Sequence, residues 1–535
     1  MHPLSVQDGP DAMVEQVVRG IAVRCYADRP SSIVQVLQDA LDTSAQDVLL
    51  LDPARGGQAT SYAEFARLVE GAAAGLLARG LEPGNRVAVL LRNGLEAAVA
   101  IWACARAGLV HIGLPAGAPP ARLAELVALT TPSLLLAQTD LLPDVVGLLS
   151  DLELSDLELP DLELDDVEVL VSSELPWQHS RLLPDEDATY MLIPTSGTTG
   201  RPKAVRVTGR MTGHAAAFYA RTLGLTAADR TAVHLPFGWV SGHVTQLTPA
   251  MLSGGSVVTM ATFSGPALVQ VCREHAVTWL DVVPSIWELL LRVEGFRADA
   301  LPGLRLAVYG GAPAPAGTLD RVADRMPSLR LYDVYALSET CAPVTCLLDG
   351  ERPRRPGSVG RPVAYAEVRV VSPDGVVVAR GEPGELQVRS PAVTPGYWGE
   401  EPSPLSNDGW LWTGDVGRMD GEGYLTVSGR AVDLLIRGGV NIYPAEVERA
   451  LLATGLLADA AVVGLPSSVA GQSVAAAVVL RAGTELDVPL LRRAVQRELG
   501  THAVPRRVRA VQVLPRNRHG KLDRVAVVEL LSSRP

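Results

Sequence analysis

The sequence predicts an α/β fold in three zones, each with its own signature. Up to about residue 356, strand and helix patterns alternate, as they do in parallel α/β layers. From Gly357 to Gly429 the pattern changes to short alternating strands joined by Pro-Asp-Gly and Gly-Glu-Pro-Gly turns, which mark a small antiparallel barrel or sheet. After Arg430 a compact α/β unit follows.

Tyr62 to Gly80 has helical periodicity, with Glu64, Arg67 and Arg79 on its polar side. Leu81 to Asn85 reads as a turn, Arg86 to Leu91 as a buried strand, Leu95 to Ala107 as a helix and Leu109 to Leu114 as the next strand. The α/β pattern recurs at Val282 to Leu290 and at the strand Leu304 to Val308. Val368 to Val371 and Glu385 to Arg389 are strands of the middle zone. The last zone reads as helix Pro444 to Ala453, strands Ala460 to Val463 and Ala475 to Leu480, and helix Pro489 to Leu499.

Composition narrows the function. At roughly 100–200 residues per domain, 535 residues make two to four units. A net charge of -12 argues against a general nucleic-acid binder. The five cysteines, Cys25, Cys104, Cys272, Cys341 and Cys346, form an odd set without a C-x-x-C pair, so they are expected as free thiols in a reducing compartment. The first 21 residues carry Asp8, Asp11 and Glu15 and lack the basic start and apolar run of a signal peptide. Arg106 and His111 interrupt the most apolar window, Ala97 to Ala118, so no membrane span is expected. Together these features lead to the expectation of a cytoplasmic protein, monomer or homodimer.

Residues 150–169 read SDLEL-SDLEL-PDLEL-DDVEV, with nine carboxylates, and no Lys or Arg occurs from Leu123 to Ser180. This run is expected as an expanded surface loop entering a strand near Val167. Only two of the 47 basic residues are lysine, Lys203 and Lys521. Arginine serves elsewhere as the generic cation, so these two mark sites where a compact ammonium is required.

Lys203 closes the segment Pro194-Thr-Ser-Gly-Thr-Thr-Gly-Arg-Pro-Lys-Ala-Val205, which follows the apolar run Tyr190 to Ile193. Glycines let backbone N–H groups approach phosphate oxygens, hydroxyls add donors, and the lysine neutralises a leaving polyphosphate. Pro202 and Ala204 flank the lysine, so this is not a Walker A loop.

The segment resembles the phosphate loop of the adenylate-forming superfamily, which comprises acyl- and aryl-CoA synthetases, stand-alone and peptide-synthetase adenylation domains, and luciferases. The resemblance extends in order from about Thr60 to Arg524. It implies a large N-terminal domain of two α/β subdomains plus a small β-barrel (residues 1–431), and a mobile small α/β C-terminal domain (432–535). By this match Thr195, Ser196, Gly197, Thr198, Thr199 and Gly200 hold the phosphates of ATP. The turn Tyr309-Gly-Gly-Ala-Pro313 packs on adenine through Gly311, Ala312 and Pro313. Asp333-Val-Tyr-Ala-Leu-Ser-Glu-Thr340 resembles the family's Tyr-Gly-x-Thr-Glu segment. It implies that Tyr335 stacks on adenine, Asp333 accepts from its amino group, Ser338 bonds the α-phosphate, and Glu339 holds Mg²⁺. Ala336 stands where the family has Gly, and Ser338 where it has Thr. Trp412-Thr-Gly-Asp415 and Arg430 resemble the ribose clamp.

The segment from Gly429 to Glu448 resembles the interdomain hinge and the strand after it. Val432 occupies the hinge position, commonly Asp or Lys, and Gly438 and Gly439 line a thiol tunnel. Pro515-Arg-Asn-Arg-His-Gly-Lys-Leu-Asp-Arg524 resembles the loop whose lysine, here Lys521, enters the site for adenylation. With Lys203, Glu339 and Ser338 it makes the expected catalytic set.

Leu235 to His243 occupies the family's aromatic-gate segment. The expected acid pocket is Trp239, His243, Val244, Tyr309, Gly310, Ala336 and Cys341, with His243 equally readable as a structural histidine. No Asp occurs from His234 to Thr248, which argues against an α-amino acid and for an aryl or short to medium acyl acid. The implied reaction converts acid and ATP to acyl-AMP and pyrophosphate, then passes the acyl group to the thiol of CoA. Two readings stand beside it: loading of a separate acyl carrier protein through its phosphopantetheine, and a nucleotide-binding pseudoenzyme. Ala336 and Val432 make the second conceivable.

Overall fold

The computed structural model describes residues 13–118, 120–141, 163–171, 173, 175–177, 184–196, 202–314, 317–399, 405–431, 435–437, 440–442, 444–467, 471–516 and 522–533. Two large sheets carry the α/β zone. The first has six strands in the order Pro202–Thr208, Thr189–Ser196, Val110–Gly113, Arg86–Leu90, Leu134–Ala137, Glu163–Asp166. All its pairings are parallel except that of Pro202–Thr208. In the second sheet, Arg330–Tyr335, Leu306–Gly310, Trp279–Val282, Arg230–Val233, Ser256–Thr259 and Val48–Asp52 form a parallel centre. Antiparallel strands flank it on both sides.

Local chemistry sets these elements. Ser61 accepts from the backbone N–H of Glu64 at 3.2 Å, which starts the helix Tyr62–Ala78 with Glu64 in its first turn. The helix Leu95–Arg106 is buried at every position. Its run of alanines lets it lie close between other elements, and Asp52 from the second sheet accepts from its first N–H, that of Leu95, at 3.1 Å. One apolar cluster then runs through both sheets, from Tyr26 through Trp102, Tyr190 and Val308 to Ala392, so the two α/β halves share a core.

Glu367–Val371, Gly384–Arg389, Leu411–Met419 and Leu425–Arg430 form a four-stranded antiparallel sheet, matching the expected middle zone. The last zone packs on its own clusters, built around Val447, Val462, Val478 and Leu491 on one side of its sheet and Ala461, Val463, Ala475 and Leu531 on the other.

Several sequence boundaries shift. The Val282 to Leu290 run divides at Pro284: the strand Trp279–Val282 ends and the helix Pro284–Leu290 begins, with proline in its first turn. The strand expected from Leu304 starts at Leu306 and runs to Gly310, because Leu304 and Arg305 still belong to the turn and Arg305 pairs with Asp229 at 2.7 Å. Val167 opens a short helix, and the strand lies before it at Glu163–Asp166. The tail strands are longer than expected, Leu457–Ser467 and Gly471–Leu480. Most of the acidic repeat lies outside the described residues. All five cysteines are free and buried. Among the described residues no helix is long and apolar enough to cross a membrane.

Candidate active site

Parallel strands present their C-terminal ends on one rim, where α/β sheets bind ligands. On the second sheet that rim carries Tyr309 and Gly310 beside Asp333 and Val334, in register. Beyond it the segment 333–340 alternates in burial: Asp333, Tyr335, Ala336, Ser338 and Glu339 are partly accessible, while Val334, Leu337 and Thr340 are buried. Thr340 fixes the turn, its Oγ1 accepting from Leu337 N at 3.1 Å and lying 2.9 Å from Ala342 O. Cys341 then adopts φ 51°, a left-handed conformation that is rare for a side-chain-bearing residue.

Glu339 is held from two sides. Its carbonyl accepts from Thr394 N at 2.7 Å, and its Oε1 accepts from the Tyr397 hydroxyl at 2.9 Å. The segment 394–398 is itself zipped to the lysine-bearing strand: Arg206 N donates to Gly396 O at 3.1 Å, and Trp398 N to Ala204 O at 2.8 Å. Lys203 therefore stands over the Tyr397 ring, its Nζ 4.4 Å from the centroid. Nothing in the motifs signalled Tyr397, which is 194 residues from Lys203 and is brought to it by this strand pairing.

The adenine and ribose candidates also meet. The Tyr335 hydroxyl donates to Asp415 Oδ2 at 2.6 Å, and Arg430 Nε lies 2.8 Å from Asp415 Oδ1. Arg430 further donates to Thr413 O at 3.2 Å. Tyr335 ends a strand and Glu339 follows four residues later in the turn after it, so Lys203, Glu339, Asp415 and Arg430 form one connected arrangement. Burial pushes the Asp333 carboxyl up to about 7, with the Tyr309 hydroxyl working the other way. Gly311, Ala312 and Pro313 are exposed at the rim. Thr195 pairs with Lys203 in register.

The residues expected to form an acid pocket divide by burial. His243 and Val244 are fully buried, and Cys341 and Tyr309 are 1% and 2% exposed. His243 Nε2 lies 2.9 Å from the Tyr190 hydroxyl, its ring stands edge-on to Trp102, its Nδ1 is buried without a hydrogen-bond partner among the described residues, and burial pushes its pKa down to about 3. Trp239, Gly310 and Ala336 keep partial access. The segment 235–243, where the gate is expected, is pinned by a residue the motifs did not reveal. Asn93 Nδ2 donates to Leu235 O at 2.8 Å and Val233 O at 3.3 Å, and its Oδ1 accepts from Phe237 N at 2.9 Å. A Cβ on Gly113 would lie 2.4 Å from Gly238 Cα, so the two backbones touch there only because both residues are glycine.

Glu339 suits Mg²⁺ as a hard oxygen donor. Among the described residues no group of three or more His, Cys, Asp or Glu could form a metal cage. That chemistry fits a cation arriving on substrate phosphates, which needs only one or two protein carboxylates. Gly197, Thr198, Thr199, Gly200, Val432, Gly438, Gly439, Lys521 and the Ser196 side chain lie outside the described residues.

The chain matches the AMP-binding enzyme family over residues 37–398 and the AMP-binding enzyme C-terminal domain over 446–521. It is 32% identical over 470 residues to a feruloyl-CoA synthase of Amycolatopsis sp, covering 87% of this chain and 93% of that protein. It is 31% identical over 482 residues to an indoleacetate–CoA ligase of Aromatoleum aromaticum, with 88% and 93% covered. Among solved structures, ATP-bound MatB from Rhodopseudomonas palustris superposes with a TM-score of 0.83 at 26% identity, covering 94% of this chain and 99% of that one. The O-succinylbenzoate CoA synthetase MenE from Bacillus subtilis, in complex with ATP and magnesium, gives 0.80 at 28% identity, with 93% and 99% covered.

Proposed function

The chain belongs to the AMP-binding enzyme family, and from that premise we propose that it is an AMP-forming ligase joining a carboxylic acid to CoA. The observation that carries this reading is the meeting of Lys203, Tyr397 and Glu339 next to Tyr335, Asp415 and Arg430: a cation and a carboxylate suited to polyphosphate beside groups suited to a nucleoside.

A free carboxylate is a poor acyl donor because its leaving group would be oxide. Attack by the acid's oxygen on the α-phosphorus of ATP forms a P–O bond and expels pyrophosphate, leaving a mixed anhydride whose later leaving group is AMP. Both reactants are anions, so the step needs positioning and charge neutralisation more than a base. Lys203 faces the departing pyrophosphate. Lys521 serves between the carboxylate and the α-phosphate, where Ser338 adds a hydroxyl donor. Tyr335 and Asp333 hold the adenine, Asp415 and Arg430 the ribose, and residues 195–200 wrap the phosphates. Glu339 would hold Mg²⁺, which supplies charge neutralisation to the phosphates. The 432–535 unit then turns about Val432, and the thiol of CoA, entering past Gly438 and Gly439, attacks the acyl carbon and releases AMP.

Substrate-dependent exchange of labelled pyrophosphate into ATP, followed by thioester formation with free CoA, tests the reading. Exchange with at least one acid and transfer to CoA are expected. Exchange without transfer to CoA, but with transfer to a phosphopantetheinylated carrier protein, would move the acceptor to that protein. ATP binding without exchange for any acid would overturn the ligase reading.

A further inference from the structure

The strands Met13–Val18 and Ile21–Tyr26 form a two-stranded hairpin ahead of the residues matched to the family, and the scheme above gives it no part. Val18 pairs with Ile21, so Arg19 and Gly20 make a two-residue loop, and both have positive φ, 52° and 81°. A loop of this kind, the type I′ turn, favours Asn, Asp or Gly at its first position, because longer side chains resist the left-handed region. Arginine stands there against the local preference. A residue kept against its own turn points to work done by its side chain elsewhere.

That side chain reaches a residue 374 positions away: Arg19 Nη2 donates to Val393 O at 2.6 Å. Val393 is 1% exposed, and a carbonyl so placed needs a donor within the protein. The N–H of the same peptide plane is that of Thr394, and it donates to Glu339 O at 2.7 Å. A peptide unit is planar and trans, so its C=O and N–H point in opposite directions. One rigid plane is thus held at one end by Arg19 and holds the backbone of Glu339 at the other. The two hydrogen bonds reinforce each other, because a cation on the carbonyl polarises the amide and strengthens its N–H as a donor. Thr394 Oγ1 extends the contact to the lysine-bearing strand, 2.7 Å from Arg206 O, and accepts from Gly396 N at 3.1 Å, one residue before Tyr397. The hairpin has a firm base for this reach. Gln16 Oε1 accepts from Arg210 Nη1 at 3.1 Å, Arg210 pairs with Asp187 at 2.7 Å, and Tyr26 is buried in the core.

The geometry points to Arg19 as a positioning residue for adenylation: through the Val393–Thr394 peptide plane it fixes the turn that carries Glu339 and the segment that carries Tyr397, and with them the spacing of Glu339 from Lys203. This rests on the ligase reading above and adds to it a hairpin, residues 13–26, that none of the motifs includes.

The test is Arg19→Asn in the full-length enzyme, which suits the turn and removes the long donor, beside Arg19→Lys, which keeps a cation on a long side chain. Denaturant melts, amide hydrogen exchange of the 390–398 backbone without ligands, and the rates of the two half-reactions are read for each. Arg19→Asn is expected to match or exceed wild type in its melting midpoint. Its 390–398 amides should exchange about fivefold faster or more, and its pyrophosphate exchange should slow by a similar factor, the size set by one hydrogen bond. KM for the acid and thioester formation from supplied acyl-adenylate should be unchanged. Arg19→Lys is expected to recover part of both losses. The proposal is overturned if Arg19→Asn keeps the wild-type rate of pyrophosphate exchange. It is equally overturned if that variant melts earlier or fails to fold, because Arg19 would then be holding the fold and not the site. Should the wild type exchange pyrophosphate with no acid at all, the ligase reading falls, and the amide exchange of 390–398 alone decides whether Arg19 fixes the plane.

Discussion

Tyr397 donates its hydroxyl to Glu339 Oε1 across 2.9 Å, while its ring lies 4.4 Å beneath the Lys203 ammonium. One side chain thus spaces the cation and the carboxylate to which the proposed reaction gives the phosphates. Tyr397→Phe keeps the ring and removes the bond to a charged acceptor, worth about 1.5–3 kcal/mol. Pyrophosphate exchange should fall roughly tenfold or more by the same rule, with KM for the acid unchanged. Tyr397→Ala should cost more, because Lys203 also loses its platform. Equal rates for Phe and wild type would remove the positioning role.

Lys203 and Lys521 are expected to separate by half-reaction. Lys521→Ala should reduce adenylation by about 100-fold or more, the usual effect of losing one transition-state contact of this kind. Thioester formation from supplied acyl-adenylate and CoA should survive it, because that step needs no α-phosphate neutralisation by this loop. Rapid-quench measurement of both halves checks this; equal loss in both would exclude an adenylation-only role.

Asn93 makes three hydrogen bonds to the strand end and gate segment at Val233, Leu235 and Phe237, from a position 7% exposed. Asn93→Ala frees that segment and strands the Phe237 N–H. At about 1 kcal/mol per bond, KM for the acid should rise several-fold, with KM for ATP little changed. Steady-state kinetics with each substrate varied in turn separates this from general destabilisation, which would lower active enzyme without shifting either KM.

The residues that the structure brings together, Lys203, Tyr335, Glu339, Asp415 and Arg430, were legible because each sits in a short motif of the sequence: 194–205, 333–340, 412–415 and 429–430. Tyr397 and Asn93 were not, because their contacts exist only between distant segments. Asn93 meets Phe237 across 144 residues, and Tyr397 meets Glu339 across 58. The layers were legible from periodicity, while strand ends such as Leu306 were set by turns and an ion pair. The π-helical turn at Val240–Leu247 follows neither the helical nor the strand period, so no pattern announced it.

Asp281 and Asp333 are both pushed up to about 7 by burial, from an ordinary 3.8. An acid raised in the folded state binds protons there that the unfolded chain has released. Its stabilising share is therefore full below about pH 4 and is lost as pH rises through about 7. For Asp281 the penalty of ionisation reaches at most about 4 kcal/mol above that range. Asp281→Asn removes the ionisation and keeps the shape. The variant should gain stability over wild type at pH 8.5, keep part of that gain at pH 5 and lose most of it by pH 4, as read from denaturant melts at the three values. Asp333→Asn should act in the same direction, by less, because Asp333 is partly accessible at the rim. A difference independent of pH would mean that Asp281 is already compensated in the fold.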